Sequence, residues 1–350
     1  MNKILIFHLA SIGDTVVALP ALRLIKNAYP NATRIGLTAK HVDAKAASME
    51  EVLDGTNLIH EFMYLESGGF NPFNLLNTIR DIKSQNIDVL IYLNEPSKFS
   101  TLLKHYLFFR ACGIQKFIGM PSIYKIFESQ IKRKSEKKWE SISEYLVRKI
   151  KALGYIDSND KKNFDLCLGD IEHAEILACL EPHIANGIIG ISLGSKIDLK
   201  DWGDVKWESL LGELAKKYPK NSLLIVGSQG EYERAHRLTQ NWSGRRINLC
   251  GKLSVRASAF ALSKCIYYVG HDNGPMHLAA AVGLRCVAIF SSRSLPGIWF
   301  PSGNKNRILY TSIECQGCER TICIDRKKEC ITRISPQDVL NEIDALIYDK

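Results

Sequence analysis

The chain lacks any apolar run near the roughly 18 residues that a membrane-spanning helix requires, so no helical span is expected. It has no Walker A loop, and no G-x-G-x-x-G followed by an acid on the next strand. The usual nucleoside-triphosphatase and dinucleotide sites are thereby set aside. Short repeats and low-complexity tracts are absent. So is the interleaving of aromatic and basic residues that marks a nucleic-acid surface, and nucleic acid is not an expected partner. At the N-terminus only Lys3 precedes an apolar stretch, which then gives way to polar residues. That pattern reads as a buried strand and not as a secretory signal. A cytoplasmic protein is expected, with its ten cysteines as thiols.

What is present is ordinary for a soluble globular chain. Its 350 residues, 46% hydrophobic and 24% charged, suffice for two domains. Short apolar runs alternate with longer amphipathic stretches. "KILIFH", "RIGLTA" and "IDVLIYL" are continuous rather than alternating, as strands covered on both faces require. Helix-like stretches, Thr15–Ala28 and Phe73–Ser84, lie between them. The rhythm restarts with "GIIGISLG", "NSLLIVGS", "CIYYVGHD" and "RCVAIFS", separated by "VKWESLLGELAKKY", "EYERAHRLTQ" and "PMHLAAAV". Such βαβ order implies parallel sheets with right-handed crossovers. The polar stretch "GYIDSNDKKNFD" marks the linker. The expected division is 1–170, 171–334 and a terminal helix at 335–350, with Ser335 as N-cap and Pro336 at its first position. That helix is expected to pack back on the N-terminal domain. The fold class is α/β, two Rossmann-like doubly wound domains facing across a cleft, where ligands bind beyond the carboxyl ends of the strands.

Those ends decide the chemistry. After the first strand comes "HLASIGD". Gly13 allows a sharp turn and Asp14 enters the first helical turn, where the partial positive charge favours an ionised carboxylate. Capping is one reading of Asp14; acceptance of a proton from a hydroxyl is the other. In the second half, "SLGSKIDLKDW" offers Gly194, Ser195 and Lys200: a small turn, a hydroxyl and a cation. "VGSQGEYERA" places Glu231 at a helix start. "VGHDNGPMHLAAAVG" runs strand, Asp272-Asn273-Gly274, then helix, which turns backbone N–H groups toward an anion. His277 lies in the first turn. A structural role for a histidine in an apolar helix is the competing reading.

"SIGDTVVALPAL" together with "GHDNGPMHLAAAVGLRCVAIF" resembles glycosyltransferase family 9, the heptosyltransferases of lipopolysaccharide core assembly. The N-terminal element G-D-x-x-x-x-x-P-x-L corresponds to Gly13, Asp14, Pro20 and Leu22. The C-terminal element D-[ST]-G-x-x-H-x-A-A corresponds to Asp272, Gly274, His277, Ala279 and Ala280, with Asn273 at the usual Ser or Thr. Between them, "LGSKIDLKDW" keeps Gly194, Lys200 and Trp202 of a third pattern. His8 stands where the family usually has arginine. The resemblance implies the two-domain GT-B architecture and an inverting displacement at the sugar C1 that needs no metal and no cofactor. It implies Asp14 as general base, with Ser11 and Gly13 on the acceptor side. Ser195, Lys200, Glu231, Leu253, Asp272, Asn273, Gly274 and His277 would hold a nucleotide-sugar donor, ADP-heptose foremost. The acceptor would be a lipid-anchored anionic saccharide, met by an enzyme peripheral to the inner membrane face.

Two features stand outside that scheme. The net charge is +9, and part of the excess lies in "KRKSEKK" (Lys132–Lys138), a solvated loop or a patch for anionic lipid or acceptor. "CQGCERTICIDRKKEC" carries Cys315, Cys318, Cys323 and Cys330. The spacing departs from a zinc ribbon, and structural zinc, plain thiols and a disulfide remain open. An inactive nucleotide-sugar-binding relative, a different donor, and another α/β enzyme such as an epimerase are the competing functions. The loops "ESGGFNPF" and "NEPSKFS" are the candidate acceptor loops and carry no readable code.

Overall fold

The computed structural model describes residues 2–39, 47–65, 72–95, 98–120, 130–136, 138–170 and 173–348. Residues 66–71 of the first candidate acceptor loop, and Pro96 and Ser97 of the second, lie outside them. The chain divides into two compact units. One comprises Met1–Lys134 and Glu140–Asn163, the other Ser135–Trp139 and Phe164–Lys350.

The first unit runs β1 (Lys3–Phe7), α1 (Ile12–Ala28), β2 (Thr33–Ala39), α2 (Met49–Leu53), β3 (Glu61–Leu65), α3 (Pro72–Ser84), β4 (Val89–Tyr92), α4 (Phe99–Ala111) and β5 (Phe117–Ile118). A short hairpin, β6 (Arg133–Ser135) and β7 (Lys138–Trp139), precedes α5 (Ile142–Lys149). The sheet order is β3-β2-β1-β4-β5, all parallel. β1 and β4 are central and apolar on both faces; all four residues of β4 are fully buried. The connections leave β1 in one direction and β4 in the other, so the topological switch point lies between them.

The second unit runs α6 (Ala174–Ile184), β8 (Ile188–Ile191), α7 (Asp204–Lys217), β9 (Ser222–Ile225), α8 (Tyr232–Leu238), β10 (Arg246–Asn248), α9 (Val255–Ser263), β11 (Tyr267–His271), α10 (Gly274–Ala281), β12 (Cys286–Phe290), β13 (Arg307–Tyr310), α11 (Glu329–Thr332) and α12 (Pro336–Tyr348). Its parallel sheet has the order β10-β9-β8-β11-β12-β13, and its switch point lies between β8 and β11. Each unit therefore has a Rossmann-like, doubly wound sheet, and the fold is GT-B.

The terminal helix belongs to the second unit. Val339, Leu340, Ile343 and Leu346 of α12 are buried in the core of the second unit with Trp207, Leu210 and Ile289. The helix starts where expected: the Ser335 Oγ accepts from the Asp338 N–H at 3.1 Å, and Asp338 accepts from the Ser335 N–H at 2.7 Å. Its apolar stripe packs on α7 and on β12 and β13 of the second sheet. Strands β3, β5, β10 and β13 were not read from the sequence. They are short or at sheet edges, and β3 is nowhere fully buried, so none shows the continuous apolar run of a central strand.

Candidate active site

In the second unit the residues of interest follow four adjacent strands. Ser195 and Lys200 follow β8, Glu231 follows β9, Leu253 follows β10, and Asp272 to His277 follow β11. Parallel pairing puts all four carboxyl ends on one edge, and β8 and β11 flank the switch point. Sequence order alone would scatter these residues over eighty positions; the sheet gathers them.

Asn273 begins α10. Its Oδ1 accepts from the Met276 N–H at 3.0 Å, while its Nδ2 donates to Ser192 Oγ and to the Gly194 carbonyl, each at 2.9 Å. A serine or threonine could supply the cap but not these two donors. Asparagine at this position therefore fastens the helix start to the end of β8. Pro275 occupies the first turn, where its missing N–H costs nothing. With the Met276 N–H taken by the cap, the Gly274 N–H is the donor of that turn left at the positive end of the helix dipole.

Beside this helix start the Lys200 ammonium lies 2.7 Å from the Asp272 carboxylate; Asp272 is buried and Lys200 half-buried. His277 Nε2 is 4.0 Å from the other carboxylate oxygen. The stretch that carries Lys200 is anchored by Trp202. Its backbone N–H donates to His271 Nε2 at 3.2 Å and its indole N–H to the Ile334 carbonyl at 2.9 Å. The same His271 nitrogen receives the Trp207 indole N–H at 3.3 Å. A ring nitrogen that accepts belongs to a neutral imidazole, and burial lowers the His271 pKa to about 4.

Glu231 closes a turn whose Ser228 N–H it accepts at 3.2 Å. Its carboxylate lies over the backbone of two glycines: a Cβ on Gly194 would sit 2.2 Å from Oε1, and one on Gly227 2.1 Å from Oε2. Burial raises the Glu231 pKa. Ser195 uses its hydroxyl locally, bridging the Ile197 N–H and carbonyl. Leu253 is half-buried on the loop before α9.

In the first unit Ser11, Gly13 and Asp14 sit at the carboxyl end of β1. Asp14 is at the third position of α1, and its Oδ2 accepts from the Ser11 N–H at 2.7 Å. One carboxylate oxygen thus caps the helix, and the other makes no hydrogen bond to a described residue. His8 is buried with Nδ1 2.9 Å from the Leu93 carbonyl and Nε2 3.2 Å from the Asp14 carbonyl, linking β1 to both. Burial holds its pKa below the usual value. Asn94, which opens the candidate acceptor loop "NEPSKFS", and Lys149, which the sequence reading missed, complete this edge. Asn94, just past β4, accepts from the Leu9 N–H at 2.7 Å. The Lys149 ammonium donates to the Asn94 carbonyl at 2.6 Å and lies 4.4 Å over the Tyr92 ring. "YLNEP" signals Asn94, a polar residue ending an apolar strand. Nothing signals Lys149, whose partner is 55 residues away.

The segment of late cysteines packs beside the stretch that carries Lys200: the Leu199 N–H donates to the Thr321 carbonyl and the Lys328 ammonium to Asp198. Cys315 is exposed and Cys330 buried, and all ten thiols are free. Among the described residues no three His, Cys, Asp or Glu side chains are grouped to hold a metal ion.

Comparison with known proteins fits this arrangement. The family model for glycosyltransferase family 9 (heptosyltransferase) matches residues 76–329, well over half the chain. The chain belongs to glycosyltransferase family 9. Among curated family relatives it is 25% identical, over 167 residues, to lipooligosaccharide heptosyltransferase 2 of Campylobacter jejuni subsp. jejuni serotype O:6. That alignment covers 45% of this chain, and the chain spans about half the length of the curated relatives it matches, 51% for this one. A family 9 glycosyl transferase from Veillonella parvula superposes with a TM-score of 0.75 at 17% identity, covering 100% of this chain and 98% of that one. The Escherichia coli heptosyltransferase WaaC with ADP superposes with a TM-score of 0.65 at 15% identity, covering 98% and 99%.

Proposed function

We propose that this family 9 chain is a heptosyltransferase. It moves a heptose or related sugar from a nucleotide-sugar, ADP-heptose foremost, to the core of a lipid-anchored anionic saccharide. The observation that carries the reading is the Lys200–Asp272 ion pair beside the start of α10. The pair sets a cation beside the positive end of a helix at the switch point of a doubly wound sheet, which is chemistry for a diphosphate. The ADP-bound relative supports adenine as the nucleoside, and the Campylobacter relative's name supports a lipooligosaccharide acceptor.

In this mechanism the free Asp14 oxygen takes the proton of the acceptor hydroxyl. The resulting oxygen attacks C1 of the donor sugar on the face opposite the diphosphate. The bond from C1 to the diphosphate oxygen breaks with its electron pair, and the configuration inverts. Negative charge gathers on the leaving diphosphate, where Lys200 and the α10 N-terminus stabilise it without reorganisation and without a metal. In this reading the Glu231 carboxylate and Leu253, which follow β9 and β10, contact the nucleoside attached to that diphosphate.

No helix among the described residues is long and apolar enough to cross a membrane. The enzyme works on the cytoplasmic face, peripheral to the inner membrane. Thermal unfolding in the presence of ADP, UDP, GDP and ADP-heptose tests the reading. A ligand that binds only the folded state raises the melting temperature by mass action. ADP and ADP-heptose should do so and the others should not. A shift with another nucleotide would change the donor, and no shift with any would leave an inactive relative as the better account.

A further inference from the structure

Helix α4 exposes an apolar stripe. Phe99, Leu103, Tyr106 and Leu107 are 46%, 38%, 42% and 58% accessible. Their spacing places them on one face. The adjoining face is fixed: Leu102 and Phe109 are buried, and His105 Nδ1 pairs with the Tyr92 hydroxyl at 2.9 Å. The stripe is thus the outer side of a firmly seated helix. Leu76, on the neighbouring helix α3, is also exposed, at 52%. Contiguous apolar exposure of this kind marks an interaction surface.

Charge indicates what covers it. α4 and its N-cap carry Lys98, Lys104 and Arg110 and no acid. None of the three forms an ion pair with a carboxylate among the described residues; Arg110 donates to Gln115. The basic run at Lys132–Lys138 is less available, since Lys134 is paired with Glu144. We infer that the α4 face, Phe99, Leu103, Tyr106 and Leu107 with its cationic rim, lies in the interface of an anionic lipid bilayer. Apolar side chains enter the acyl boundary, the tyrosine sits at headgroup depth, and the cations meet lipid phosphates. This deepens the reading of a lipid-anchored acceptor, because the surface that holds the acceptor would hold the enzyme.

The test is co-sedimentation of the whole chain with phosphatidylcholine vesicles, with and without a quarter of phosphatidylglycerol. The chain should sediment with the anionic vesicles and be released by salt. Leu103→Ser/Leu107→Ser should lower partitioning about tenfold, with an unchanged melting temperature and an unchanged response to ADP. A charge variant, Lys104→Ser/Arg110→Ser, should lose the preference for anionic vesicles, whereas Lys132→Ser/Lys138→Ser should keep it. Equal partitioning of the leucine variant and the parent overturns the assignment. So does a dimer in light scattering that the leucine variant dissociates, because the face would then belong to a second copy. Vesicle binding is read without turnover, so failure of glycosyl transfer and failure of this surface are separate results.

Discussion

The Lys200 ammonium and the Asp272 carboxylate meet at 2.7 Å in a setting that leaves each side chain little water. Each neutralises a charge the other would otherwise leave buried and alone. Loss of one partner is therefore expected to cost more than loss of both. Lys200→Met should lower stability by about 3 kcal/mol, Asp272→Asn by a similar amount, and the double variant by clearly less than the sum. Urea unfolding of the four proteins measures the cycle. Additive costs would mean the pair is not coupled. Lys200→Met should also abolish the rise in melting temperature with ADP, because it removes the cation assigned to the diphosphate.

Asp14 serves two ends of the argument. Its capping bond to the Ser11 N–H needs an acceptor oxygen, and its proposed chemistry needs a base. Asp14→Asn keeps the oxygen and loses the basicity. Turnover should fall by about two to four orders of magnitude, while stability changes by less than about 1 kcal/mol and donor binding persists. Residual turnover near that of the parent would remove Asp14 from the mechanism.

Asn273 can be separated into cap and tether. Asn273→Ala loses the bond from Met276 and both donors to β8, and should cost about 2 kcal/mol or more. Asn273→Ser restores the cap alone and should recover about 1 kcal/mol of that loss. Thermal unfolding distinguishes them. A serine variant no better than alanine would show that the cap contributes nothing here.

How much of this could be read in advance differs by feature. The central strands were legible because burial on both faces forces an unbroken apolar run, as in "KILIF" and "CVAIF". The placement of Asp14, Lys200 and Asp272 to His277 at strand ends was legible because each follows such a strand. The destination of α12 was not. An amphipathic stripe says that a helix buries one face, not against what, and only the packing of Ile343 and Leu346 beside Trp207 settles it. The roles of Trp202 and His271 were equally hidden, since a hydrogen bond across 69 residues leaves no local trace.

Gly194 and Glu231 make a steric prediction. A Cβ at position 194 would collide with the Glu231 carboxylate, 2.2 Å away. Gly194→Ala should displace that side chain and cost about 1 to 3 kcal/mol. Adding Glu231→Ala should return most of the stability, because the collision partner is gone, but not nucleotide binding if Glu231 contacts the nucleoside. Unfolding curves and ADP titrations of the single and double variants check both halves. An uncompensated double variant would place the clash elsewhere.

Lys149 carries a pH signature. Burial lowers its pKa from 10.5 to about 7. In the unfolded chain the amine holds its proton up to the ordinary lysine range, so between about 7 and 10.5 the unfolded state binds more protons than the folded one. Stability contributed by this group therefore rises with pH through that window, with a slope of at most about 1.4 kcal/mol per pH unit for one proton. Below the folded pKa both states are protonated and the slope vanishes. Lys149→Met keeps the stem over Tyr92 and removes the proton. Denaturant unfolding from pH 7 to pH 9 should show a stability gain in the parent that is smaller or absent in the variant, and the variant should be the more stable at pH 7. Parallel pH profiles would mean that the ammonium is hydrated despite its position beside Asn94.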